Sequence, residues 1–286
     1  MTTADVISVI LRALSFIALF QAAGVAIVIA MFGCLLEVSA NRIRTVGFVS
    51  ALAGLLFVTA HYAMEAARMA GTLAGALDLS LQQLVLDSPM STAAGMRLLG
   101  LTLIASTIRR EGVVPTLAGL SGVFCVAVAF TFVGHTADGA RGAWLAIVLT
   151  LHLIVVAFWF GGLAPLHIAS RLEHGERTAQ IVAAFTRIAT VVVPGLFLLG
   201  VALTVALVDR WEVFAESYGV LLIAKATGFA LLMGLASLNK WRYGPALAST
   251  SAAAVAFQRA VAAEYLLICA VLITTAVMTT FYSPSH

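Results

Sequence analysis

Residues 142–167 read GAWLAIVLTLHLIVVAFWFGGLAPLH. No Asp, Glu, Lys or Arg interrupts these 26 residues, and at 1.5 Å per residue such a run exceeds the roughly 30 Å of hydrocarbon in a bilayer. The run is continuous and does not alternate apolar with polar positions, as a strand of a membrane barrel must. It therefore reads as a transmembrane helix.

Working outward, similar runs lie near 6–35, 47–70, 91–108, 113–133, 182–208, 218–239 and 257–281. With the quoted segment they make an all-α, polytopic membrane helix bundle of about eight transmembrane helices, in one domain spanning 1–286. The 286 residues are 62% hydrophobic and 10% charged, far from the balance of a soluble domain. The connections alternate in charge: Arg42 and Arg44, then Asp78 and Asp87, Arg109 and Arg110, Asp138 with Arg141, Arg171 and Arg177, an acidic stretch at 209–216, and finally Lys240 and Arg242. Basic loops face the cytoplasm, so both ends are expected outside, N-out and C-out, in agreement with an even number of spans.

The longest loops are too short for a core of their own. Asp5 replaces the basic segment that would open a secretion signal, so the first run is expected to be a retained helix. Cys34, Cys125 and Cys269 are widely spaced, without a C-x-x-C pair, and read as small core residues.

Ionisable groups at membrane depth are costly, and each is a functional candidate by default. Counting along the second span puts His61 slightly outside its midpoint, with Glu65 one turn further out and Met64 and Arg68 beside it. The fifth span runs the other way and places His152 at nearly the same depth. His135 follows the fourth span at the outer water boundary. His167, His174 and His286 fall at solvated positions. Arg187 and Glu264, near the inner ends of the sixth and eighth spans, are expected to form a structural ion pair. Arg12, Arg97 and Lys225 are expected to snorkel or to pair with Glu65. Pro194 should break the sixth span locally. Met64, Met69, Met90, Met96 and Met278 fall on the outer half, and thioethers are soft ligands for Cu(I), although methionine is also common apolar filler.

The stretch His152–Leu166, with its H-x6-W-x-G-G-L pattern (His152, Trp159, Gly161, Gly162, Leu163), resembles the CopD/PcoD family of copper resistance membrane proteins. Gly134-His135, Phe185-Thr186-Arg187, Tyr218-Gly219, Lys225, Asn239 and Glu264 look like that family too, and Arg12, Gly95 and Arg97 are similar more loosely. The resemblance implies an eight-helix bacterial inner-membrane protein that handles copper between periplasm and cytoplasm, often beside a periplasmic CopC-like copper-binding partner. On that reading His61 and His152 form a copper site for uptake or transfer, His135 is a ligand at its entrance, and Glu65 is a further ligand or orients a histidine. No enzymatic role is expected: H-E-x-x-H, G-x-S-x-G and phosphate-loop motifs are absent. The main alternative is a b-type haem protein for electron transfer, with His61 and His152 as axial ligands.

Overall fold

The computed structural model describes residues 2–133, 142–207, 216–247 and 251–282. Its helices are α1 (Thr3–Phe32), α2 (Ala40–Ala70), α3 (Leu79–Leu86), α4 (Pro89–Thr107), α5 (Val113–Val128), α6 (Gly142–Leu172), α7 (Gly175–Leu207), α8 (Ser217–Leu238), the short α9 (Gly244–Ala246) and α10 (Ser251–Phe281). Among the described residues there is no strand, and the chain is an all-α polytopic bundle. The helices outrun the apolar windows at several ends; α2 begins at Ala40 and α7 at Gly175, because polar first turns continue the helix beyond the hydrocarbon. The 71–90 connection holds the amphipathic turn α3. Its N-cap Asp78 accepts hydrogen bonds from the Ser80 hydroxyl and from the amides of Ser80 and Leu81. These bonds hold the Asp78 carboxyl below the ordinary carboxylate range, so the cap is intact at neutral pH and is lost as pH falls through that depressed value.

Among the described residues seven helices are long and apolar enough to cross a membrane, and α4 is the exception among the eight long ones. Its sequence carries Arg97 amid serines and threonines, which dilutes its hydropathy. Its packing still takes it through the full depth beside α2: Leu101 lies against Gly54, and Arg44 near the start of α2 donates to the carbonyls of Ile108 and Arg110 just beyond α4. The two ends of the chain also meet, since Arg12 of α1 donates to the Thr279 carbonyl of α10. Same-side ends require an even number of crossings, so α4 completes a set of eight. At the opposite end, Glu173 accepts from the amides of Glu37 and Ser39 and from the Ser39 hydroxyl, while Arg177 pairs with Glu37. The basic loops thus share one end, as their charge pattern requires.

The core is built around α1, the most buried of the spans. A helix that is apolar on every face belongs in the interior of a bundle. It contacts α2, α6, α10, α5 and α4. Its closest approach is to α6 at Gly24 and Gly161, where a Cβ on either glycine would collide with the other helix's backbone. Four residues beyond Gly161, Pro165 has no N–H to offer the Gly161 carbonyl. The buried side chain of Gln21 supplies the missing donor, Nε2 to the Gly161 oxygen at 3.1 Å. In a bilayer, where apolar surface alone does not drive helices together, small residues and an interhelical hydrogen bond make such a contact hold. Around it, α6 stacks Phe158 on Phe185 of α7 and Phe160 on Tyr265 of α10, each at 4.8 Å.

One sequence expectation is corrected. Cys125 and Cys269 are half-buried, but Cys34 is exposed, because it sits in a tight 3-10 turn that leaves the end of α1.

Gly161→Leu should wedge α1 from α6 and cost at least about 1–3 kcal/mol, whereas Gly95→Ala, where an added Cβ meets nothing within 4 Å, should leave thermal unfolding in detergent unchanged or slightly raised. Equal melting of both variants would contradict this packing.

Candidate functional site

At the end where the chain termini meet, α2 presents His61 and Glu65 on one face, as i,i+4 spacing requires. They are 6% and 7% exposed. Arg12 reaches them from α1: its Nε donates to His61 Nε2 at 3.0 Å, its Nη1 donates to the Thr279 carbonyl at 2.7 Å, and its Nη2 lies 3.6 Å from Glu65 Oε1. Arg68, one turn beyond Glu65, pairs with Glu65 Oε2 at 3.0 Å and with Asp5 at 3.5 Å, and donates to the Thr280 carbonyl. Four groups of alternating charge are thereby tied to helices α1, α2 and α10.

The accepting nitrogen fixes the state of the imidazole. A nitrogen that accepts from guanidinium carries no proton, so the His61 ring is neutral, with its proton on Nδ1. The 3.4 Å approach of the same nitrogen to Glu65 Oε1 is therefore a contact of two acceptors that Arg12 holds together. The expectation that Glu65 orients His61 directly is replaced by orientation through Arg12. Arg97 of α4 lies within electrostatic reach of both Arg12 and His61, and its guanidinium lies over the Phe130 ring, 4.2 Å from the centroid. Three guanidinium groups against the carboxylates of Glu65 and Asp5 leave the cluster with an excess of positive charge.

His152 has a separate neighbourhood. A ring nitrogen lies in hydrogen-bonding reach of the Leu196 backbone on α7, Lys225 of α8 is its charged neighbour, Gly200 packs close to its ring, and its Nδ1 is buried without a partner. None of these residues belongs to the His61 cluster, so the two histidines are held by different helices. Among the described residues no three His, Cys, Asp or Glu side chains converge as metal-binding groups do. A haem needs two facing imidazoles; His61 is held by Arg12 of α1, whereas His152 is set among α7 and α8. His135 lies outside the described residues. Met64 is half-buried on α2 beside His61.

The expected Arg187–Glu264 pair does not form among the described residues. Glu264, 3% exposed, accepts from Asn239 Nδ2 and faces the Trp159 indole N–H, so neutral donors fill the role assigned to Arg187. Arg12, expected with Arg97 and Lys225 to snorkel or pair with Glu65, lies beside Glu65 and also donates to His61, a bond the sequence reading does not contain. The signal was present, since both residues lie one third of a span from the same surface. What sequence lacked was which face of α1 turns toward α2.

An all-α bundle of eight long helices with a buried Arg–His–Glu cluster at one end and a buried carboxyl toward the other belongs to the polytopic membrane proteins that hold charge at depth. Residues 1–144 match the family described as Copper resistance protein D-like, N-terminal domain, and residues 179–278 match Copper resistance protein D. The chain belongs to the copper resistance protein D family. Copper resistance protein D of Pseudomonas syringae pv. tomato is 29% identical over 178 residues, which cover 58% of this chain and 57% of that protein. The chain thus aligns with little more than half the length of this curated relative. No solved structure matches. The stretch 152–166 falls between the two matched ranges, while Arg12, His61, Glu65 and Arg97 all lie in the first.

If Arg12 and Glu65 act as a buried pair, Arg12→Met or Glu65→Met alone should each lower stability by about 3–5 kcal/mol, and the double variant by much less than their sum. Thermal unfolding of the purified variants checks this; strictly additive losses would refute the coupling.

Proposed function

We propose that this chain is a copper-handling protein of the bacterial inner membrane that accepts copper from the periplasmic side and passes it toward the cytoplasm, with His61 as the receiving ligand. The observation that carries the reading is the capped His61 nitrogen. In a member of a copper resistance family, a neutral imidazole held in the membrane by Arg12, with Glu65 alongside, is a ligand kept in reserve.

Copper is the cargo. Its arrival changes the partner of one nitrogen: the ion takes His61 Nε2 from Arg12, and Arg12 keeps its contacts with Glu65 and the Thr279 carbonyl. Arg12 stays within the cluster, so the ion adds its charge there, and Glu65, already paired with Arg12 and Arg68, is the carboxylate that offsets it where dielectric screening is weak. Met64 offers a soft sulfur that favours the cuprous state. His135 serves as a ligand at the entrance, and His152, with its spare buried nitrogen, as a second station in the same half of the membrane. The basic loops Arg42–Arg44, Arg109–Arg110 and Arg171–Arg177 orient the cluster outward, where a CopC-like periplasmic protein is the natural donor. Lys225 and Arg97 are scaffold charges in this scheme; they shape the field and do not bind the ion.

Purified protein titrated with Cu(I) against a competing chelator should lose at least one high-affinity equivalent in His61→Ala. In Arg12→Gln, which frees the ring nitrogen, binding should tighten or stay equal. Unchanged stoichiometry and affinity in His61→Ala would overturn the assignment. Copper accumulation by intact cells expressing each variant then separates uptake, which should fall in His61→Ala, from export, which would reverse the sign.

A further inference from the structure

Far from the His61 cluster, toward the opposite end of the bundle, a cavity of about 270 Å³ lies between α7 and α8, backed by α6 and α10. Two helix irregularities frame it: Pro194 inside α7 and a π-helical turn, Asn239–Tyr243, that extends α8. Turns of this kind recur at functional sites. α7 and α8 are the two most lipid-facing spans, and each packs mainly on another helix, α7 on α6 and α8 on α10. The cavity therefore opens sideways, toward lipid.

Its walls are mostly aromatic and aliphatic, with Trp159, Phe185 and Phe257 among them; Asn239 and Glu264 form its polar floor, and Lys240 also lines it, its ammonium 5.4 Å from the Trp241 ring centroid. Asn239 Nδ2 places one of its two N–H groups on Glu264, and the Trp159 indole faces the same carboxyl. Asn239 Oδ1 is left buried with no partner, on a side chain only 8% exposed. The carboxylate fixes which amide atom is the donor, so this orphan is an acceptor. An unsatisfied buried acceptor costs about 1–3 kcal/mol, and among the described residues no cation pairs with Glu264. The missing piece is an apolar body with a hydrogen-bond donor that arrives through the bilayer. A cavity of about 150 Å³ holds benzene, so this one has room for a substituted ring.

We infer that the cleft between α7 and α8 binds the hydroquinone headgroup of a bilayer quinol, whose hydroxyl donates to Asn239 Oδ1 beside the Glu264 carboxyl while its ring lies against the aromatic wall. The site discriminates redox forms at Asn239 Oδ1. There a quinol hydroxyl donates, whereas a quinone carbonyl would meet another acceptor.

The test is calorimetric titration of the purified full-length chain with a short-tailed benzoquinol kept reduced, and separately with its quinone. Saturable one-to-one binding is expected for the quinol, about tenfold or more tighter than for the quinone, the difference that one satisfied acceptor makes. Asn239→Leu should erase that preference. Ala236→Phe, which fills the cavity and leaves Asn239 and Glu264 in place, should abolish quinol binding with copper binding at His61 unchanged; it also keeps the test decisive if Asn239→Leu fails to fold. Absence of saturable binding, equal affinity for quinol and quinone, or full binding by Ala236→Phe would overturn the inference.

Discussion

The contact of α1 with α6 at Gly24 and Gly161 is the constraint on which the rest of the structure depends. Pro165 strips the Gly161 carbonyl of its helical donor, and Gln21 answers it from α1. The two backbones approach so closely that neither glycine can carry a side chain. This seat draws the first helix into the centre of the bundle, where α2, α4, α5 and α10 can surround it. Once α1 is central, Arg12, twelve residues and about 18 Å nearer its start, is delivered between His61 and the end of α10. A local defect in one helix thus positions a charge in another, at a depth where charge is expensive.

The two polar centres solve the problem of burial in different ways. Near the chain ends, full charges are tied into a network: Arg12 and Arg68 embrace Glu65, Asp5 answers Arg68, and His61 stays neutral by accepting from guanidinium. Such a network holds one arrangement firmly, yet an incoming cation can take the place of a resident one. Toward the opposite end, Glu264 has neutral donors only, Asn239 and Trp159, and opens onto a cavity that faces lipid. The first centre suits exchange of cations reached from water; the second suits a hydrogen-bonding ligand reached from the bilayer.

Much of the fold was legible in the sequence because hydrophobic length is a one-dimensional signal. The uncharged stretch 142–167 could be nothing but a span, and the alternating loop charges set the parity that the meeting of Arg12 with Thr279 bears out. Even α4, diluted by Arg97, was recognisable by position. Spacing was legible too: that His61 and Glu65 share one face of α2 follows from counting residues. Azimuth was not. Which face of α1 bears on α2, that Arg12 caps the imidazole, that His152 looks toward α7 and α8, and that Asn239 takes the place of Arg187 at Glu264 all depend on rotations about helix axes. Helices apolar on nearly every side leave those rotations unmarked. The Gln21 bond was hidden for a related reason, since a carbonyl freed by proline is visible in sequence but its partner on another helix is not.

The central claim is that copper replaces Arg12 at His61 Nε2. X-ray absorption at the copper edge, recorded on Cu(I)-loaded protein and on His61→Ala loaded under the same conditions, tests it most directly. The account predicts imidazole scattering around copper in the wild-type chain and its loss or clear reduction in the variant. Identical copper environments in the two proteins would contradict it.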